Sequence, residues 1–159
     1  MPTLRNPDFR QTIADKLTRQ HFLRLIGFSL TEIDPGCVTG RLELQQHHQQ
    51  QAGFAHGGLV ATVADTVAGF AAVTLAAPGE QMVTVELKIS YLHPGVGTAL
   101  RGVGTVLKAG ATLTFTEAEV WCERDGQPDL LIAKATATMM AFTPPPGTEK
   151  PEAETRSAA

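Results

Sequence analysis

Asp65 stands in the run His56-Gly57-Gly58-Leu59-Val60-Ala61-Thr62-Val63-Ala64-Asp65-Thr66-Val67-Ala68-Gly69-Phe70-Ala71-Ala72-Val73, whose other side chains are apolar or small almost throughout. A helix apolar on nearly every side is buried on nearly every side, and an acid there either finds a partner or shifts its pKa. Asp65 is therefore a candidate nucleophile or general base, with pairing inside the core as the structural alternative. The same run opens on Gly57 and Gly58. Backbone N–H groups at a helix start have no intrahelical acceptor and sit at the positive end of the helix dipole, so they suit an oxyanion or a polarised carbonyl. Glycines there also let a ligand come close to the backbone, although a plain helix start would use them too.

The spacing of these groups carries a second expectation. Eight residues separate Gly57 from Asp65, which at about 1.5 Å of rise per residue is roughly 12 Å along the axis. One helix cannot place both on the same reacting carbonyl. Two antiparallel copies side by side can, with the Gly57 end of one facing Asp65 of the other, and a symmetric dimer with two shared sites is the natural assembly.

The rest of the chain must position this helix. Its 159 residues and 43% apolar content fit one globular domain able to bury its own core. A net charge of −3 and a pI near 5.9, with Lys and Arg scattered, offer no surface for nucleic acid. The central run is too rich in Ala, Gly and Thr, and interrupted by Asp65, to read as a membrane span. Cys37 and Cys122 are far apart and outside any CxxC pattern, so neither a zinc site nor a disulfide framework is expected. His47, His48 and His56 lack the HxH or HxxxH spacing of metal ligands, and no metal or cofactor is expected. The N-terminal residues show no apolar signal segment, which makes the cytoplasm the default compartment.

Periodicity predicts one amphipathic helix over residues 8 to 26, with Phe9, Ile13, Leu17, Phe22, Leu25 and Ile26 on a common side. Residues 28 to 33 and 38 to 44 alternate as a hairpin about Asp34-Pro35-Gly36. Gln45 to Gln51 is a loop, and the central helix follows. Four β runs come next, at 82 to 92, 98 to 107, 112 to 124 and 130 to 142, with turns at Pro94-Gly95, Lys108-Ala109-Gly110 and Asp125-Gly126-Gln127-Pro128. This order predicts an α+β fold, an antiparallel sheet curled around a long central helix with an N-terminal helix beside it. Residues 1 to 143 form the domain, and 144 to 159, rich in Pro and charge, are expected to be a disordered tail.

His56-Gly57-Gly58, Asp65, the segment Val83-Thr84-Val85-Glu86-Leu87-Lys88-Ile89-Ser90-Tyr91-Leu92-His93-Pro94 and the segment Gly104-Thr105-Val106-Leu107-Lys108-Ala109-Gly110-Ala111-Thr112-Leu113 occur in this order. Together they resemble the hot-dog fold acyl-CoA thioesterases of the phenylacetate-degradation (PaaI-like) type, over about residues 20 to 142. The resemblance implies hydrolysis of an acyl-CoA thioester at the interface of a homodimer, or a dimer of dimers. In that pattern Asp65 attacks the thioester or activates the water, and the Gly57 N–H polarises the carbonyl. Thr84 matches the Ser/Thr that helps hold the water or the acid, and His56 matches the histidine beside the oxyanion site. Gln50 falls where many members carry Asn and some carry Gln. Gly69 stands where glutamate-type members carry an assisting Thr, which points to the aspartate-type arrangement. Lys108 and Gly110 lie in a turn that contacts the CoA nucleotide in this family.

Without the resemblance, Gln50 is a loop residue, Thr84 a β-branched strand residue and His56 a helix-entry histidine. Gly58 is a second helix-start glycine. Small residues such as Gly69 leave room for an acyl chain or aryl ring, and Phe54 is placed to wall that space. A non-catalytic acyl-CoA-binding module and a hot-dog acyl-CoA hydratase or dehydratase are the alternative functions. The hydratases typically use a principal catalytic histidine and a different loop pattern, which this sequence lacks.

Overall fold

A computed structural model of the protein describes residues 4–145, so the expected tail lies, apart from Pro144 and Pro145, outside the described residues. Two short helices, α1 (Phe9–Thr18) and α2 (His21–Leu25), precede the hairpin β1 (Ser29–Asp34) and β2 (Cys37–Glu43). A 3-10 turn at Gln46–His48 leads to the central helix α3 (Gly57–Val73), and β3 (Gln81–Tyr91), β4 (Ala99–Ala109), β5 (Leu113–Arg124) and β6 (Gln127–Phe142) follow. The six strands form one antiparallel sheet in the order β1-β2-β4-β5-β6-β3, folded around α3. No helix among the described residues is long and apolar enough to cross a membrane.

The sheet can wrap the helix closely because its inner face is lined with small residues. Ala118, Ala133, Ala135 and Ala137 are buried there. On β4 a Cβ added at Gly104 would lie 2.3 Å from the backbone of Val67, and one at Gly102 would lie 2.6 Å from Val63 Cγ1. The helix thus rests directly on strand backbone. Val63 and Val67 are fully buried in that contact. Burying a side chain of this size stabilises by about 1.5–3 kcal/mol relative to leaving it in water.

The expected burial of α3 on nearly every side is not complete. Gly58 is exposed, and Thr62, Asp65 and Gly69 are half-buried. Their helical spacing makes one open stripe, and Asp65 lies in it.

Three other expectations need correction. The single helix over 8 to 26 is two helices, because the apolar spacing of four from Phe9 through Leu17 slips to five at Phe22 and rotates the face away. Thr18 Oγ1 donates back to the Asp15 carbonyl at 2.7 Å, and Gln20 takes a non-helical conformation between the helices. Within α2 it is Leu23 that is buried, while Phe22 and Leu25 are 53% and 76% exposed. The last strand begins three residues early, because Arg124 already pairs with Gln127 across a two-residue turn in which Gly126 has φ 67°. Lys108 and Ala109 belong to β4, and the turn occupies residues 110 to 112.

Candidate active site

The two chemical ends of α3 face different cavities. At its start, Gln50, Phe54, His56, Gly57, Gly58 and Tyr91 line a space of about 740 Å³. Further along, Asp65, Gly69, Thr84 and Met139 line a larger groove of about 1140 Å³, roofed by Phe22 and Leu23 of α2. Lys108 and Gly110 line a third space of about 430 Å³ at the β4–β5 turn. The fold therefore groups Gln50, Phe54, His56, Gly57 and Gly58, groups Asp65, Gly69 and Thr84 elsewhere, and leaves Lys108 and Gly110 apart from both within one protomer.

The first turn of α3 has four N–H groups without intrahelical acceptors, and the chain satisfies three of them. His56 is the N-cap, and its Nδ1 accepts from the Gly58 N–H at 2.9 Å. The His56 N–H donates to the His48 carbonyl at 2.9 Å, and the Leu59 N–H to the His56 carbonyl at 2.9 Å. Gly57 N–H finds no acceptor among the described residues and remains available at the positive end of the helix. Because Nδ1 is an acceptor, the neutral His56 ring carries its hydrogen on Nε2. A Cβ at Gly58 would stand 3.0 Å from His56 Nδ1, so the absent side chain lets the ring close over this turn.

Gln50 is folded into its own loop. Its backbone N–H donates to the Phe54 carbonyl at 3.0 Å, and its Oε1 accepts from the Ala52 N–H at 3.0 Å. The side-chain amide nitrogen has no acceptor among the described residues. At the turn, Gly110 has a local reason to be glycine, since a Cβ would lie 2.6 Å from the Leu113 carbonyl oxygen that its own N–H binds at 2.8 Å.

In the middle of the helix the acid has found a partner. Thr84 Oγ1 donates to Asp65 Oδ1 at 2.7 Å and lies 3.4 Å from Met139 Sδ. Register explains the contact. Thr84 pairs with Met139 on β6, and both face the helix. Asp65 Oδ2 has no hydrogen-bond donor among the described residues, and the side chain lines the groove. The site that this describes is an acid oriented by one hydroxyl, beside open space; a Cβ added at Gly69 would meet nothing nearer than Met139 Cε at 4.0 Å.

Tyr91 is the site-lining residue that sequence reasoning passed over as a role. Its hydroxyl donates to the Gly57 carbonyl at 2.9 Å. A tyrosine ending a strand carries no signal for a backbone acceptor on a distant helix, so only its place in the Val83–Pro94 segment could have drawn attention to it.

A helix wrapped by an antiparallel sheet, with an unsatisfied N–H at its start and an oriented carboxylate in its middle, defines a hot-dog fold of enzymatic type. The family profile of the thioesterase superfamily matches residues 52–128. Acyl-coenzyme A thioesterase 13 of Homo sapiens is 31% identical over 133 residues, covering 81% of this chain and 91% of that protein. The chain belongs to the thioesterase superfamily. A thioesterase family protein from Silicibacter pomeroyi is similar in structure, with a TM-score of 0.83 and 34% identity, covering 86% of this chain and 99% of that one. The E. coli PaaI protein of the phenylacetic acid degradation operon shares the fold at a TM-score of 0.75 and 17% identity, covering 88% of this chain and 96% of that one.

Proposed function

We propose that this protein is an acyl-CoA thioesterase whose two identical sites are each completed by a second copy of the chain. One observation carries the reading. The free Gly57 N–H and the Thr84-bound Asp65 lie on one helix about 12 Å apart, each facing its own cavity, and a two-fold partner would set the Gly57 of one copy against the Asp65 of the other. Two further features support it. The open stripe Gly58, Thr62, Asp65 and Gly69 lets a second helix come close. The edge strand β3 leaves one side unpaired over 11 residues, with Val83 and Val85 41% and 59% exposed. The assembly is a homodimer able to pair further into a dimer of dimers, acting in the cytoplasm.

In this site the thioester carbonyl oxygen binds the partner's Gly57 N–H, with His56 Nε2–H beside it. Asp65 takes a proton from water as the oxygen attacks, or attacks the carbonyl itself and is then freed by water. In either course the C–S bond breaks, the thiolate of CoA takes up a proton, and the acid is released. The Thr84 hydroxyl keeps Oδ2 turned to the reacting carbon. Gln50 and Phe54 bound the partner's side of the cavity, Gly58 and Gly69 leave room for the acyl thioester, and Lys108 and Gly110 contact the CoA nucleotide.

Free-thiol release from a panel of aryl-, short-, medium- and long-chain acyl-CoAs tests the activity. Subunit mixing tests the shared site. Asp65→Asn and Gly57→Pro homodimers should each be nearly inactive. Their heterodimer holds one intact site and one doubly damaged one, so it should regain up to about half of wild-type activity if the sites are independent. Demonstrated subunit exchange with no return of activity would overturn the shared geometry.

A further inference from the structure

The strand that holds Asp65 also holds the first residue of α3. Thr84 binds Asp65 from the first half of β3, and Tyr91, the last residue of the same strand, donates its hydroxyl to the Gly57 carbonyl at 2.9 Å. The Tyr91 ring lies beside Gly57: a Cβ built there would stand 3.6 Å from ring atoms Cε1 and Cζ and from the hydroxyl. That is ordinary van der Waals contact. Nothing within the protomer thus requires glycine at 57, and the space it leaves belongs to whatever approaches the N–H.

First turns of helices fray, because their peptide planes are held by few hydrogen bonds. An oxyanion donor is useful only if its N–H sits within about 2.7–3.1 Å of the developing charge, and a misplacement of about 1 Å can cost two orders of magnitude in rate. The first turn of α3 is held on one side by the His56 cap. Tyr91 holds the carbonyl end of the same Gly57–Gly58 peptide whose N–H the cap takes. Resting on the thioesterase reading, we infer that Tyr91 is a positioning residue for catalysis: by holding the carbonyl of the Gly57–Gly58 peptide it fixes the backbone at Gly57, and with it the direction of the N–H on the adjoining His56–Gly57 peptide. It acts through Gly57 and not on the substrate. Through Thr84 and Tyr91, β3 holds both half-sites of α3.

Tyr91→Phe removes the hydroxyl and keeps the ring that packs on Gly57. Amide hydrogen exchange at Gly58, Leu59 and Val60 should speed up by about fivefold to tenfold, as the loss of one hydrogen bond predicts, while Val63 to Val67 keep their protection and report an intact core. With an acyl-CoA that the wild type hydrolyses, kcat should fall by about tenfold with KM unchanged, because the interaction matters in the transition state. Unchanged exchange, or faster exchange with full kcat, overturns the assignment. So does a raised KM at constant kcat, which would make Tyr91 a substrate contact. A wild type inactive on every acyl-CoA overturns the thioesterase reading instead, a result the variant cannot mimic.

Discussion

The two ends of the chemistry on α3 are built from different materials. In the proposed site the working group at the helix start is a backbone N–H, and side chains occupy its neighbours: His56 takes the Gly58 N–H and Tyr91 the Gly57 carbonyl. In the middle of the helix the proposed working group is a side chain, Asp65, which accepts a hydrogen bond from the Thr84 hydroxyl. A backbone donor is insensitive to most substitutions at its own residue, whereas a carboxylate is lost with one atom. The two halves should therefore respond to mutation in opposite ways.

The largest effect belongs to the side-chain half. Asp65→Asn keeps the shape and can still accept from Thr84, yet it can neither attack nor take a proton, so kcat should fall by about 10³-fold with the melting temperature nearly unchanged. Turnover that survives this change would remove Asp65 from the chemistry. In the backbone half only proline deletes the donor. Gly57 is the first helical residue, where proline is tolerated, and His56 at φ −63° and ψ 134° already has the extended conformation that a following proline demands. Gly57→Pro should cost about 10²-fold, while Gly57→Ala, which keeps the N–H, should cost less than about tenfold. Equal losses in the two variants would mean that space, and not the N–H, is what Gly57 supplies.

Thr84 sharpens the comparison from the other side. Thr84→Val is close to isosteric but leaves Asp65 Oδ1 without its donor, and kcat should fall by about tenfold, with Thr84→Ser restoring most of it. If the valine variant turns over normally, the 2.7 Å contact is a structural pairing and not an orienting one.

How far the sequence reveals this arrangement depends on the range of the interaction. The long period of α3 and the alternation of the β runs are local patterns, and the fold followed from them. Boundaries went astray where a local pattern was ambiguous. The five-residue gap between Leu17 and Phe22 hid a helix break, and Asp125-Gly126 closes a tighter turn than the four-residue segment suggested. Apolar residues of a short helix do not say which of them faces inward, so Leu23 was missed and Phe22 and Leu25 were misplaced. Asp65 was legible because a lone acid in an apolar run is costly. Thr84 had no such signal, since its contact is made 19 residues away through the β3–β6 register, and only the family resemblance pointed to it. Tyr91 acts on a backbone carbonyl, which leaves no trace in side-chain chemistry.

The smallest expected effect concerns the support beneath the helix start. His48 is 5% exposed, its carbonyl accepts from the His56 N–H at 2.9 Å, and its Nδ1 accepts from the Gln45 N–H at 3.0 Å. Burial, with the nearby His47 ring as the second cause, lowers its pKa below the ordinary 6.5, and the carbonyls of Ile26 and Glu43 only partly oppose this. Protonation would also set an N–H on Nδ1 against the N–H of Gln45. Since the folded state refuses a proton that the unfolded chain accepts, stability should be fully present above pH 6.5 and decline as the pH falls from there toward the lowered folded value. The loss should therefore begin in the loop that His48 anchors. His48→Asn can present Oδ1 to Gln45 but does not titrate, and it should flatten the slope of melting temperature against pH in that window. Hydrogen exchange followed across the same window should show the amides of Gln49 to Gly58 losing protection before those of Val63 to Val67. A variant with the wild-type slope, or a loss of protection that starts in the middle of the helix, would place the acid sensitivity elsewhere and leave the two halves equally robust to pH.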